Sequence, residues 1–412
     1  HVQNAGLSCA TYEIWLQARD DCLRPRLCEL GRLAPGESAG YAVSDCVGPG
    51  WEGAAWLRAS GPVAVVVDQL SERSLTSYSA PEALIEQFTI EGQSSGSGLS
   101  YDIYRNRREP VSFAPLAYVA YRGWNTRLSV GNPDPAAPAK VKVSFLASSG
   151  QTLASMVDWI CPRGSQSFDL AAVAVLPSGW VGGIRVERLS EPALLGADGP
   201  PSGLTGVVQL LRSDDPAAAD IDQALAYPLV SEHRAARLGY VMVPDVDRVS
   251  QAGDRIPGAA VVAVPSLAGL LRAAGGADQL RVMNLVDSPG YTRFATYLFD
   301  QNGLLGHVCE RLDNRQAVTI DLADWAFVAP RFRGSALVSA TYWEHPASDA
   351  AGIQRYNRVG LGVFKLSLPD GSLDGGLAHA DAAGDVGIPL VAQSLGWRFH
   401  TLSSRPLPDC NP

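Results

Sequence analysis

The stretch VKVSFLAS alternates strictly, with Val141, Val143 and Phe145 on one side of an extended chain and Lys142 and Ser144 on the other. A period of two is the pattern of a β-strand with one face buried. Two further stretches, TYEIWLQ beginning at Thr11 and RFATYLFD beginning at Arg293, stand in the same relation to their surroundings. Each of the three follows a turn-like segment, and each turn follows a Val-x-Asn tripeptide: Val2-Gln3-Asn4, Val130-Gly131-Asn132 and Val282-Met283-Asn284. A recurrence of this kind predicts repeated structural units, and it governs the whole reading of the chain.

A second landmark recurs downstream in PGWEGAAW, PSGWVGGI and PRFRGSAL. A proline is followed by an aromatic residue (Trp51, Trp180, Phe332), then x-Gly (Gly53, Gly182, Gly334) and a new strand. This spacing predicts a sandwich corner. The proline stops one strand, the ring plugs the end of a core, and the glycine lies where a side chain would clash. Prolines at Pro62, Pro192 and Pro346 close the strand that follows, and after the first of them PVAVVVD predicts an interior strand.

Many short strands, Gly/Pro turns and few helical patterns predict an all-β chain of three tandem β-sandwich-like modules. Boundaries fall at 1–113 for a first module lacking its first strand, 114–227 for the second, and 228–388 for the third, which carries an insertion. Short helices are expected at PEALIEQF and at DPAAADIDQALA, where Asp215 suits an N-cap and Pro216 the first turn. Residues 389–412 form a C-terminal segment in which PLVAQSLGWRFHTLSS repeats the plan of PLAYVAYRGWNTRLSV: Pro-Leu, then Gly-Trp, then Leu-Ser. Pro389, Leu390, Gly396, Trp397 and Leu402 thus match the segment that leads into Val130, and no such segment leads into Val2 and Asn4. The expectation is that the C-terminal segment complements the first module, either within one chain or by strand addition to the next copy. Pro-Leu recurs again at Pro228-Leu229, where it is expected to open the third module.

These modules resemble the tandem β-sandwich repeats of bacterial secreted and cell-surface proteins. The resemblance rests on the Pro-Leu, Gly-Trp, Val-x-Asn and aromatic-x-Gly landmarks, and the third copy departs from it by lacking Gly-Trp before Val282. It implies an exported scaffold or adhesive protein at the cell surface or outside the cell, and it brings no catalytic residue with it.

Composition narrows the partners. A hydrophobic fraction of 46% with 18% charged residues is that of a globular chain. A net charge of −9 argues against nucleic acid as a partner. All the basic residues except Lys140, Lys142 and Lys365 are arginines, which suits ordered, bidentate contacts. The most apolar run, GAAVVAVPSLAGLL, contains a proline and stops at Arg272, so no transmembrane segment is expected.

Of seven cysteines, Cys9, Cys22, Cys28 and Cys46 crowd the first 46 residues, with no Cys-x-x-Cys pair and no nearby histidine to complete a metal site. Disulfides in an oxidising compartment are expected instead: Cys22 with Cys28 across CLRPRLC, and Cys9 with Cys46. Cys410 would then be placed to lock the C-terminal segment to a first-module cysteine.

Signals for catalysis are weak. GQSSG fits the Gly-x-Ser-x-Gly elbow with Ser94, but SGLSYD follows it and does not start a helix. His1, His233, His307, His345, His379 and His400 are scattered, with no second ligand at metal-binding spacing. Asp245, Asp247 and Asp254, and Asp370, Asp374, Asp381 and Asp385, are turn residues that do not match a calcium loop. No Gly-rich phosphate loop joins a strand to a helix, so no cofactor is expected. Trp15, Trp56 and Trp343 would either stack sugars or pack against a neighbouring module. The expected function is a structural subunit that assembles with copies of itself; the alternative is a monomeric surface adhesin or carbohydrate binder.

Overall fold

The computed structural model describes residues 1–19, 24–70, 75–79, 111–189, 204–213, 223–231, 260–268, 278–285, 291–329, 332–344, 361–367, 383–386 and 388–390. Among these residues there is no α-helix, and every strand pairing is antiparallel. The chain is an all-β protein of sandwich-like units.

The first unit contains β1 (Val2–Asn4), β2 (Ala10–Ala18), β3 (Arg26–Leu33), β4 (Ser38–Ala39), β5 (Gly53–Ala59), β6 (Val63–Leu70) and β7 (Leu75–Ser79). The second contains β8 (Val111–Val119), β9 (Trp124–Gly131), β10 (Ala139–Ala147), β11 (Thr152–Ile160), β12 (Ser165–Asp169), β13 (Trp180–Leu189), β14 (Thr205–Arg212), β15 (Gln223–Pro228) and β16 (Val230–Ser231). The third contains β17 (Ala260–Ala268), β18 (Asp278–Asn284), β19 (Tyr291–Asp300), β20 (Gly303–Asp313), β21 (Ala317–Asp321), β22 (Arg333–Glu344), β23 (Leu361–Ser367), β24 (Ala383–Val386) and β25 (Ile388–Leu390).

Strand order repeats from unit to unit. One sheet of the second unit runs β11-β10-β13-β8-β16 and the other β12-β9-β14-β15; in the third unit the orders are β20-β19-β22-β17-β25 and β21-β18-β23-β24. The first unit has β4-β1-β6-β7 as the counterpart of the second of these sheets, but only β3-β2-β5 for the first.

Each unit shares one core between its two sheets. In the second unit Val130, Leu128, Val141, Val143, Phe145, Ile184, Val186 and Val208 are fully buried together. The third is built alike around Leu280, Val282, Phe294, Leu298 and Val338. In the first unit Val2, Tyr12 and Leu33 form the buried cluster, with Ala10 and Leu16 also buried, and Ile14, Leu57, Ala59, Val63 and Val65 are only half-buried against it. The apolar run Val63–Val67 is therefore not an interior strand. Its residues alternate between half-buried and exposed, and Val66 is 39% exposed.

Two other expectations are revised. Gln223–Ala226, expected to end a helix, belongs to β15, where it pairs with β14 and carries Ala226 and Tyr227 into the core. Pro-Leu does not mark one place in the fold. Pro115-Leu116 lies inside β8, Pro228-Leu229 passes from β15 to β16 in the second unit, and Pro389-Leu390 lies in β25 of the third. A proline in a sheet is placed by where a backbone N–H is not needed, and a sandwich offers several such places.

The second and third units are joined through a buried contact. Val111, Phe113 and Leu146 pack with Met283, Leu285 and Ala317, and the Ala317 N–H donates to the Ser148 carbonyl at 3.0 Å. Arg281, 4% exposed, crosses this joint: Nε donates to the Pro115 carbonyl at 3.1 Å, Nη1 to Thr319 Oγ1 at 2.7 Å and Nη2 to Ser148 Oγ at 3.3 Å. Both the second-unit backbone and the third-unit hydroxyl thus satisfy a single guanidinium, which uses the fixed donor fork that lysine lacks.

Candidate assembly surface

The Val-x-Asn asparagines do the same work in all three units. Asn4 Nδ2 donates to the Leu33 carbonyl at 3.1 Å and to the Ser8 carbonyl at 2.8 Å. Asn132 Nδ2 donates to Ala137, Ile160 and Cys161 carbonyls at 2.8, 3.3 and 3.1 Å. Asn284 Nδ2 donates to Leu312 and Asp313 carbonyls at 3.2 and 3.1 Å. Each is at most 1% exposed, so each ties the end of one sheet to the last strand of the other in a dry site. The valine two residues before it is buried in every case.

The corner recurs just as closely. A Cβ on Gly53 would meet the Gln17 carbonyl oxygen and lie 2.6 Å from Trp51 Cζ2. On Gly182 it would overlap the Leu146 carbonyl oxygen and the Trp180 ring, and on Gly334 the Phe299 carbonyl oxygen and the Phe332 ring, at 2.6 Å from Cζ. The glycine is therefore required by close approach, because the ring two residues back lies across its Cα. Trp180 and Phe332 are 6% and 5% exposed, whereas Trp51 is only half-buried.

The corner sets a residue-by-residue correspondence, and it locates what the described residues of the first unit do not supply. Gly182 pairs with Ala147 and Gly183 with Leu146; in the first unit Gly53 pairs with Ala18 and Ala54 with Gln17. On its other side β13 pairs with β8 from Trp180 to Glu187, and β22 pairs with β17. Among the described residues β5 has β2 on one side and no strand on the other. The second sheet has a matching gap. β14 pairs with β9 over Thr205–Arg212, but among the described residues β6 pairs with β1 over Val63–Val65 and with His1 at Val66, and no further. One β-hairpin, equivalent to β8 and the first half of β9, would fill both.

In the second unit that hairpin turns tightly. Ala120, Arg122 and Gly123 have positive φ, and Tyr121 and Trp124 exchange backbone hydrogen bonds at 3.0 and 2.9 Å. All nine residues of β8 are buried, and Trp124, 5% exposed, enters the core. Of the residues expected to supply this element, Pro389 and Leu390 lie in β25, paired with Val262 and Val261 of β17. Gly396, Trp397 and Leu402 lie outside the described residues, as do Ser94, Cys22, Cys410, four of the six histidines and all the loop aspartates named above except Asp385, which is in β24.

The disulfide pairing differs from expectation. Cys28 bonds Cys46, with Cα atoms 5.6 Å apart, and Cys9 is free and exposed. Cys28 already lies within β3, and the chain returns to it after β4 through the 3-10 turn Val43–Asp45, which delivers Cys46. Cys9 sits just ahead of Ala10, which pairs with Leu33 at the opposite end of the β2–β3 hairpin, out of reach. Cys161 and Cys309 are also disulfide-bonded.

Trp15 and Trp56 face one another across β2 and β5 and stack at 5.4 Å with their rings 5° from parallel. The guanidinium of Arg163, from the second unit, lies 4.3 Å over the Trp56 ring, and Arg19 Nε donates to Gln166 Oε1 at 3.2 Å. These tryptophans therefore line the contact between the first two units. Trp343 is on β22 opposite Thr292. His307 stacks on Tyr297 at 5.7 Å, and His1 Nε2 lies 3.1 Å from Asp68. Among the described residues no three His, Cys, Asp or Glu side chains converge to hold a metal ion, and no helix is long and apolar enough to cross a membrane. No family model matches the chain, and no curated protein matches it.

Proposed function

We propose that this protein is a structural subunit, exported to the cell surface or beyond, that assembles head to tail with copies of itself through the open side of its first unit. The observation that carries this reading is the pair of matching gaps beside β5 and β6. The hairpin that fills them in the second unit has the sequence PLAYVAYRGWNTRLSV, and the only other stretch built on that plan is PLVAQSLGWRFHTLSS. An open sheet edge over a half-buried core is a strand acceptor, since main-chain hydrogen bonds supply affinity and alternate side chains enter the core. Donation by the next copy repeats one heterologous contact without closing, which yields a polymer. The Cys28–Cys46 bond and the oxidised Cys161 and Cys309 support an oxidising compartment.

Deleting residues 389–412 should abolish polymers seen by negative-stain microscopy, and a peptide of those residues added in trans should cap them. Polymers of normal length from the truncated chain would rule the reading out. Monomers from the intact chain, with a first unit that loosens on deletion, would mean that the segment closes its own chain, as a surface adhesin would require.

A further inference from the structure

The register of β8 and β17 tells what kind of strand β5 accepts. Ala117 lies opposite Gly182 and Ala114 opposite Ile184, so β8 spends one residue more than β13 and Pro115-Leu116 together face Gly183. The third unit repeats the device. Leu267 lies opposite Gly334 and Val264 opposite Ala336, so Pro265-Ser266 face Ser335. Both first strands therefore carry a bulge opposite the residue after the corner glycine, and both put proline at its first position. A bulge residue stands outside the ladder, so proline's missing N–H costs nothing there. An apolar residue flanks the bulge on each side in both strands: Ala114 and Ala117, Val264 and Leu267.

By the corner correspondence β5 presents Gly53, Ala54 and Ala55 at these positions. Ile388-Pro389-Leu390-Val391 has the required order, apolar-Pro-x-apolar. Gly396-Trp397 follows it one residue sooner than Gly123-Trp124 follows Ala117. We infer that β5 of one copy binds Ile388–Val391 of the next as a bulged antiparallel strand, with Val391 opposite Gly53, Ile388 opposite Ala55, and Pro389-Leu390 bulged over Ala54. This rests on the head-to-tail reading and fixes its register.

The inference has a structural consequence. Ile388, Pro389 and Leu390 are the three residues of β25, which here pair with Ala263, Val262 and Val261 of the chain's own β17. Among the described residues the bulged pairs of β8 and β17 have no partner on their other edge, whereas Pro389 and Leu390 are held in a straight ladder by Val262 and Val261, so a bulge there breaks that pairing. Assembly is then an exchange, in which β25 leaves β17 and adds to β5 of the neighbouring copy.

A lock on β25 tests this. Val261 and Leu390 are direct cross-strand partners, and opposed residues of an antiparallel pair have Cα separations of about 4.5 or 5.5 Å, within disulfide range. The double variant Val261→Cys/Leu390→Cys, with the new bond verified by non-reducing peptide mass spectrometry, should lose all sedimentable polymer. Val261→Cys alone should assemble like the parent chain, and Leu390→Cys alone measures what that substitution itself costs assembly, so the effect of the lock is the loss beyond both. If the locked protein polymerises at the parent rate while the 389–412 deletion does not, donation begins after Leu390; this inference then fails and the head-to-tail reading survives. If the deletion variant also polymerises, both fall.

Discussion

Gly182 has no room for a side chain because the ring of Trp180, two residues earlier, lies against its Cα on one side and the Leu146 carbonyl on the other. Trp180 meets Phe145 edge-on at 6.3 Å and closes the end of the second unit's core. Gly182→Ala must push the ring or the β10 backbone aside, and overpacking of this kind costs about 3 kcal/mol. Trp180→Ala empties the ring site instead and should cost about 3–5 kcal/mol. Denaturant unfolding of the full chain should show both losses in the transition of the second unit. A Gly182→Ala variant as stable as the parent would mean that the corner has slack.

The asparagine of Val-x-Asn supplies a second prediction. Asn132 Oδ1 accepts the Asp134 N–H at 3.1 Å while its amide serves three carbonyls, so Asn132→Ala strands several buried backbone groups at once. A loss of about 2–3 kcal/mol is expected. Asn284→Ala should cost a comparable amount in the third unit, and hydrogen exchange at the ends of β11 and β20 should speed up accordingly.

These two features were legible in the sequence because each demands a particular side chain. Only an amide both donates and accepts at the Asn132 position, and only glycine fits beneath Trp180. Strand alternation likewise read through to the first half of β10, where Val141 and Val143 are buried and Lys142 is not, whereas β19 is buried without a break from Phe294 to Leu298. The disulfide was not legible, since Cys28 meets Cys46 through the path of β3, β4 and a 3-10 turn rather than through sequence proximity. Pro-Leu misled for a related reason: Pro115 sits in a bulge and Pro228 at a strand end, two sites that share only the lack of a needed N–H. The run Val63–Val67 read as interior because composition does not reveal that β1, among the described residues, pairs with β6 only over Val63–Val65.

The joint between the second and third units should be sensitive to alkali. Burial pushes the Tyr118 phenol up to about 12, and burial also raises Tyr227, whose hydroxyl donates to the Leu116 carbonyl. Arg281 beside them is lowered by burial. A folded pKa above the unfolded value means that the contribution is complete below the unfolded tyrosine pKa of about 10. It is then lost as pH rises from there towards the folded value. Unfolding midpoints of the full chain should fall over this range, and Tyr118→Phe, which keeps the ring, should flatten the fall. An unchanged slope in Tyr118→Phe would place the alkaline sensitivity elsewhere.

The first unit should be the one whose dynamics change on assembly. Its half-buried Ile14, Leu57 and Val65 correspond to Val143, Val186 and Gly206 of the second unit, where Val143 and Val186 are fully buried under the β8–β9 hairpin and its neighbours. Regions with few buried contacts and unpaired strand edges open at low free-energy cost. Amides of β5 on the side away from β2, and those of β6 after Val66 on the side away from β7, should therefore exchange fast in the monomer. In polymers both sets should slow together, because one hairpin would cover both sheets. Protection confined to β5 would indicate that a lone strand adds, with Trp397 and the residues after it left outside the core. Protection in neither, in samples that microscopy shows to be polymeric, would move the contact between copies to another surface.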